Sequence, residues 1–196
     1  MSEFEYISVL LSIIFGLGIS KLLSGIGVMI HRRRLGHLDM VHGLWVWNVF
    51  NLLTANWWVT FRFQISDNPW SYELFFTLVV WATFLYIPSV LLFPPYMGRD
   101  QSFDEIFERN RRWLMASLIG FALMDIAQTA FRGEVLVPWY YLPFLLHLIA
   151  IFTVGLLVER RWVQKFVAWE IAIVIPTWMF LVRRLIDDSA GMLPPG

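Results

Sequence analysis

EYISVLLSIIFGLGISKLLSGIGVMIHRRR, residues 5–34, decides the fold class. Between Tyr6 and Ile30 the only charged side chain is Lys21, and the run ends on three consecutive arginines. At 1.5 Å per residue a helix of that length covers about 37 Å, more than the ~30 Å of hydrocarbon in a bilayer. The stretch therefore predicts a membrane span closed by a basic flank. Glu3 and Glu5 give its leading side the wrong charge for a secretory signal peptide, so it is expected to be retained as a first span.

The same pattern recurs outward from that segment. Of 196 residues, 58% are hydrophobic and 15% charged, against about 25% charged in ordinary soluble domains. Mean hydropathy is +0.62. Six runs long enough to span lie near residues 5–30, 41–61, 72–93, 113–131, 137–158 and 163–182, and together they predict one transmembrane domain over 1–196. An all-α polytopic bundle is expected, because backbone groups in lipid must be paired within helices and a barrel needs short alternating strands. The lipid bilayer is then the principal partner. Zero formal net charge argues against a nucleic-acid partner. The chain has no cysteine, which excludes disulfides and thiolate chemistry. The sequence patterns of zinc proteases, serine hydrolases, P-loop enzymes and EF-hands are missing, and nothing in the sequence asks for a cofactor or a catalytic residue.

Arginine and lysine orient the spans. Arg32, Arg33 and Arg34 follow the first, Arg99, Arg109, Arg111 and Arg112 separate the third and fourth, and Arg160, Arg161 and Lys165 separate the last two. The alternate side carries Arg62, Arg132, Arg183 and Arg184. Ten against four puts both termini outside the cytoplasm. The Arg32–Arg34 run also suits an anionic lipid headgroup. After Pro94-Pro95, Ser102 and Glu105 form a capping-box pattern, and Phe103, Ile106 and Phe107 share a helical face. A cytoplasmic interfacial helix near 102–112 is expected, with docking of a cytoplasmic protein as the alternative use of that face. Trp45, Trp47, Trp57, Trp58, Trp70, Trp113, Trp139, Trp162 and Trp178 fall where interfacial belts are expected.

Ser8, Ser12, Gly16, Ser20 and Ser24 recur every fourth residue in the first span. Small residues let helix backbones approach closely, so this stripe predicts a packing seam, inside one bundle or between two copies in a homodimer. Residues 81–89, WATFLYIPS, and 169–177, WEIAIVIPT, both fit W-x5-I-P-[S/T] at corresponding places of two three-helix halves. That spacing raises a 3+3 inverted repeat, with kinks at Pro88 and Pro176.

Polar residues inside the spans carry the chemistry. Counted from the arginine-rich ends, Asn48 and Glu170 fall about 10 Å deep, Lys21 about 13 Å, Asn51 about 15 Å, His147 about 16 Å and Asp125 about 18 Å. Intramembrane charges are costly and face partners or water, so these six residues are the expected substrate- or ion-binding set, with Asp125 or Glu170 as counter-ion to Lys21. The opposing reading is a satisfied network that fixes helix register. His31, His37, Asp39 and His42 raise a metal site, but Asp39 is more simply the N-cap of the second span, and no metal is expected.

Phe4-Glu5-Tyr6-Ile7-Ser8-Val9-Leu10-Leu11-Ser12-Ile13 running into Gly16-Leu17-Gly18, the pair Trp57-Trp58, and Leu92-Phe93-Pro94 resemble a family of small bacterial membrane proteins without assigned function. The resemblance covers about the first half of the chain and implies a bacterial inner membrane. The functional expectation is a small-solute or ion translocator, proton-coupled in its natural form. A non-catalytic scaffold or sensor subunit is the alternative.

Overall fold

The computed structural model describes residues 3–32, 39–60, 71–95, 101–133, 135, 136 and 138–190. Those residues form six helices and no strand: α1 (Glu3–Arg32), α2 (Met40–Val59), α3 (Tyr72–Leu92), α4 (Phe103–Phe131), α5 (Tyr141–Leu157) and α6 (Arg161–Ala190). α1, α3, α4 and residues Arg161–Leu181 of α6 are long and apolar enough to cross a membrane. α5 is apolar but spans only 17 residues, about 26 Å of helix. α2 has the length but falls outside this group because asparagines and tryptophans dilute its hydrophobicity. The chain is an all-helical membrane bundle.

α2 is the hub. It packs against α1, α3, α4 and α6, while α1, α3, α4, α5 and α6 follow one another around it. The core is aromatic where these helices meet. Phe15 of α1 stands edge-on to Trp81 of α3 at 5.7 Å, Trp81 stacks on Phe121 of α4 at 5.9 Å, and Trp45 of α2 lies 6.4 Å from Phe152 of α5. Trp45 is wholly buried, which corrects its expected place in an interfacial belt. Trp47, Trp57, Trp58, Trp113, Trp139 and Trp162 are exposed, and Trp70 lies outside the described residues. Trp178 is half-buried and stacks face to face on Phe144, 3.8 Å away.

α1 turns a different face to the bundle from the one its small residues mark. Ile7, Leu11, Phe15 and Leu22, together with Gly18 and Gly25, are buried against α2 and α3. Gly16, Ser20 and Ser24 are exposed, Ser8 is half-buried, and Ser12, though exposed, accepts from Trp57 Nε1 of α2 at 3.2 Å, so the stripe meets the bundle at its edge and most of it faces away. A Cβ on Gly16 would meet nothing within 4 Å, whereas one on Gly25 would overlap the Phe93 ring.

α4 corrects a second expectation. Its capping box forms as read, with Ser102 and Glu105 exchanging side-chain to backbone hydrogen bonds. The helix then runs unbroken for 29 residues, because no proline interrupts it. Phe103, Ile106 and Phe107 are buried in the bundle, so residues 102–112 are the first turns of α4 and not a separate interfacial helix. That face is not free to dock a partner. The 3+3 repeat also fails in the packing. Pro88 and Pro176 both sit inside helices, but α1 packs closely on α3 while α4 makes no such approach to α6 among the described residues.

Candidate functional site: a histidine–glutamate pair between the last two helices

Three polar groupings organise the bundle, at three levels along its axis. The first lies at the arginine-rich end and fixes helix termini. Asp39 caps α2, accepting from the His42 backbone N–H at 2.8 Å. Its other oxygen accepts from the Arg161 guanidinium at the start of α6, which also donates to Glu108 (3.0 Å) and pairs with Asp104 (2.7 Å), both at the start of α4. One arginine thus ties the start of α6 to the starts of α2 and α4, where Asp39 and Asp104 place negative charge at helix N-termini that favour it. Arg111, only 3% exposed, donates to the Gly155 and Leu156 carbonyls and to Glu159, which also accepts from Arg112 at 2.7 Å. Those carbonyls are orphan acceptors at the end of α5, and a cation belongs there. Gln164 adds a hydrogen bond to the Gly155 carbonyl at 2.9 Å. His42 Nε2 lies 2.9 Å from the Leu92 carbonyl at the end of α3, its ring between Phe93 and Phe103. The carboxyl of Glu159 lies below the ordinary glutamate range, chiefly because Arg112 hydrogen-bonds and attracts its ionised form.

The second grouping is near the far end. Asp125 is buried and accepts from Tyr141 of α5 at 2.5 Å and from Gln128 of its own helix at 2.8 Å. Arg132 acts on the same carboxyl electrostatically. The Trp81 indole is also close enough to act on it, although Trp81 Nε1 reaches no acceptor with good hydrogen-bond geometry. Every Asp125 oxygen is thus served by α4 or α5, and the cluster joins α3, α4 and α5.

The third grouping is the pair. His147 Nε2 of α5 lies 2.6 Å from Glu170 Oε1 of α6. His147 is ten residues from the end of α5 and Glu170 nine from the start of α6, about 15 and 14 Å of helix respectively, so antiparallel packing brings them to one level. Measured from the Arg111 contact with Leu156, the Asp125 cluster sits about 7 Å further along the bundle axis. The pair is therefore a separate feature. The His147 side chain is 49% exposed and that of Glu170 14%, so the pair opens outward between the two helices. Glu170 Oε2 is buried without a hydrogen-bond partner.

Only these two of the six expected binding residues come together. Lys21 is half-buried and makes no hydrogen bond or ion pair among the described residues. α1 touches α2 and α3 alone, so neither Asp125 nor Glu170 serves as its counter-ion. Asn48 is buried and spends its amide on the Ala168 carbonyl of α6 at 2.9 Å. Asn51 donates to Trp47 O of its own helix, as many polar groups do in apolar helices. The expected convergent layer is thus a structural α2–α6 bond, a self-satisfied asparagine, an isolated lysine and two distinct acid-centred clusters. Arg33 and Arg34 lie outside the described residues, as does His37, and no metal-ligating cluster of three forms among the rest.

The residues that organise the bundle were partly legible. Arg111 continues the buried series Phe103, Phe107, Leu114, Leu118, and Tyr141 continues Leu145, Leu148, Phe152. A polar residue at a core-facing helical position is the signal that marks both. Arg161 has no such mark, because its partners are 53 to 122 residues away. No family model, curated protein or solved structure matches the chain.

Proposed function

We propose that the protein is a proton-coupled translocator of a small solute or ion, with His147 and Glu170 as its proton site. The observation that carries this reading is the 2.6 Å contact at matched depth on two antiparallel helices. A carboxyl and an imidazole in contact offer two proton positions in one hydrogen bond, and Glu170 Oε2 leaves a second carboxyl oxygen uncommitted. Ionisable groups at such depth are expensive, and those retained there usually serve a pathway. The ion clamp around Arg161 and the Asp125 cluster lie on either side of the pair. The setting we propose is a bacterial inner membrane, which rests on the resemblance of the first half of the chain. Six crossings with both termini outside rest on the distribution of arginine and lysine.

The test is proton uptake into proteoliposomes, read by an internal pH-sensitive dye under an imposed potential. Glu170→Gln is expected to reduce uptake to that of protein-free vesicles. Uptake equal to that of the unaltered protein refutes the reading.

A second reading, a scaffold or sensor subunit that pairs with another copy through α1, is favoured by the exposure of Gly16, Ser20 and Ser24. The chain lacks cysteine, so Ser20→Cys gives a single thiol for cross-linking in native membranes. Failure to form disulfide-linked dimers there sets this reading aside.

A further inference from the structure

The pair described above opens on the hydrocarbon side of the bundle and not into its interior. Exposed apolar or small side chains flank it on both helices: Leu146 and Ala150 on α5, Phe166 and Ile173 on α6. Neither His147 nor Glu170 makes any further hydrogen bond or ion pair among the described residues. A charged solute would find nothing there to balance it beyond the pair itself, and it would have to arrive through lipid. The chemistry left available is narrow. Glu170 Oε2 is buried, so the group presented outward is the imidazole. With Nε2 donating to Glu170, Nδ1 carries a lone pair and accepts.

We infer that the substrate class of this site is a bilayer-dissolved molecule bearing a hydroxyl group, a long-chain alcohol or phenol, which reaches the pair sideways between α5 and α6 and donates to His147 Nδ1. This rests on the reading of the pair as the working site and adds the ligand and its route. The hydroxyl supplies the donor that Nδ1 lacks, and the apolar remainder stays among the exposed side chains that already face lipid. Glu170 acts as a positioning residue for the ligand, because it sets which imidazole nitrogen holds the proton.

The experiment uses the full chain in phospholipid nanodiscs and two photoactivatable probes of equal length: a diazirine-bearing hexadecanol, and the corresponding alkane without the hydroxyl. Labelled peptides are mapped by mass spectrometry. The alcohol is expected to exceed the alkane at the α5–α6 seam, around Leu146 and Ile173, by about five-fold, the preference conferred by one net hydrogen bond. His147→Leu is expected to abolish that excess. Glu170→Gln is expected to keep it, because a glutamine carbonyl still accepts from Nε2–H, while proton uptake is lost. Equal labelling of the seam by both probes overturns the inference, as does an excess that survives His147→Leu. Because the probe comparison is made first on the unaltered protein, a variant that fails to fold does not rescue the idea. Loss of uptake in Glu170→Gln with equal labelling rejects the ligand and leaves the proton site standing. Intact uptake with an alcohol excess rejects the proton site and leaves the ligand standing.

Discussion

Gly25→Ala and Gly16→Ala place the same methyl group on opposite faces of one helix, and the structure assigns them opposite signs. Gly25 is buried, and a Cβ there overlaps the Phe93 ring as far in as its Cγ. That ring cannot swing away cheaply. Phe93 is only 4% exposed, edge-on to His42 at 5.2 Å and to Phe103 at 6.3 Å. Overpacking of this kind costs about 1–3 kcal/mol, and the alanine returns about 1 kcal/mol in helix propensity, so the net destabilisation is roughly 1 kcal/mol. Gly16 has open space around it and should gain only the propensity term, about 1 kcal/mol of stabilisation. The two variants should therefore differ by about 2 kcal/mol, or roughly 4–8 °C in unfolding midpoint for a chain of this size. The assay is thermal unfolding in detergent followed by tryptophan fluorescence, at protein concentrations that leave one chain per micelle. A midpoint that falls for Gly16→Ala and holds for Gly25→Ala refutes the orientation of α1 and returns the small-residue stripe to the interior.

The other predictions concern the polar groups. Lys21→Met and Asp125→Asn should be additive within about 0.5 kcal/mol in a double-mutant cycle, because the two residues share no partner; a coupling of 1 kcal/mol or more would mean that they meet. In contrast, Asp125→Asn and Tyr141→Phe should couple by about 0.5–3 kcal/mol, since Tyr141→Phe removes the 2.5 Å hydrogen bond and Asp125→Asn takes away its charge and leaves one oxygen for two donors. Arg111→Met should cost about 1–3 kcal/mol by stranding the Leu156 carbonyl and leaving Gly155 with Gln164 as its side-chain donor, and an unfolding midpoint equal to that of the parent would show that α5 ends without this cap. Glu159 has a folded-state pKa below its unfolded value, so its contribution to stability is present above the ordinary glutamate range and is lost as pH falls through the lowered value. Unfolding midpoints measured from neutral to acidic pH should therefore fall less in Glu159→Gln than in the parent, and an identical acid slope in the two proteins contradicts the assignment.

The helices could be read from the sequence because each is long, apolar and bounded by recognisable signals, such as the Ser102–Glu105 capping box and the Asp39 N-cap. The levels of His147 and Glu170 were readable only in part: rise per residue put them at about 16 and 10 Å, and the difference closes because α5 ends at Leu157 and α6 starts at Arg161. Rotation about each helix axis was not readable. Depth alone put Lys21, Asp125 and Glu170 in one slab, but α1 and α6 stand on different sides of α2 and only neighbours can pair. The stripe on α1 shows the same limit. Small residues mark a face able to approach another helix, while the bundle chose the face carrying Ile7, Leu11, Phe15 and Leu22, whose bulk fills the space beside Trp81. In α4 the apolar face of residues 103–107 was recognised, but not what covers it, because Phe93 and His42 come from two other helices.

The hydrogen bond from Asn48 to the Ala168 carbonyl and the grip of Arg161 on Asp39 both join the second helix to the sixth, across 120 and 122 residues. During synthesis the second helix emerges long before its partner. Until the last helix is made, a segment that is already marginal in hydrophobicity must hold an unsatisfied amide in lipid and an unpaired capping carboxylate at its edge. Its final seat in the bilayer is thus decided only after the sixth helix has been made. A ribosome-bound or truncated chain that stops before Arg161 should leave this helix exposed to the quality-control proteases of the membrane, and the last helix supplied separately should protect it.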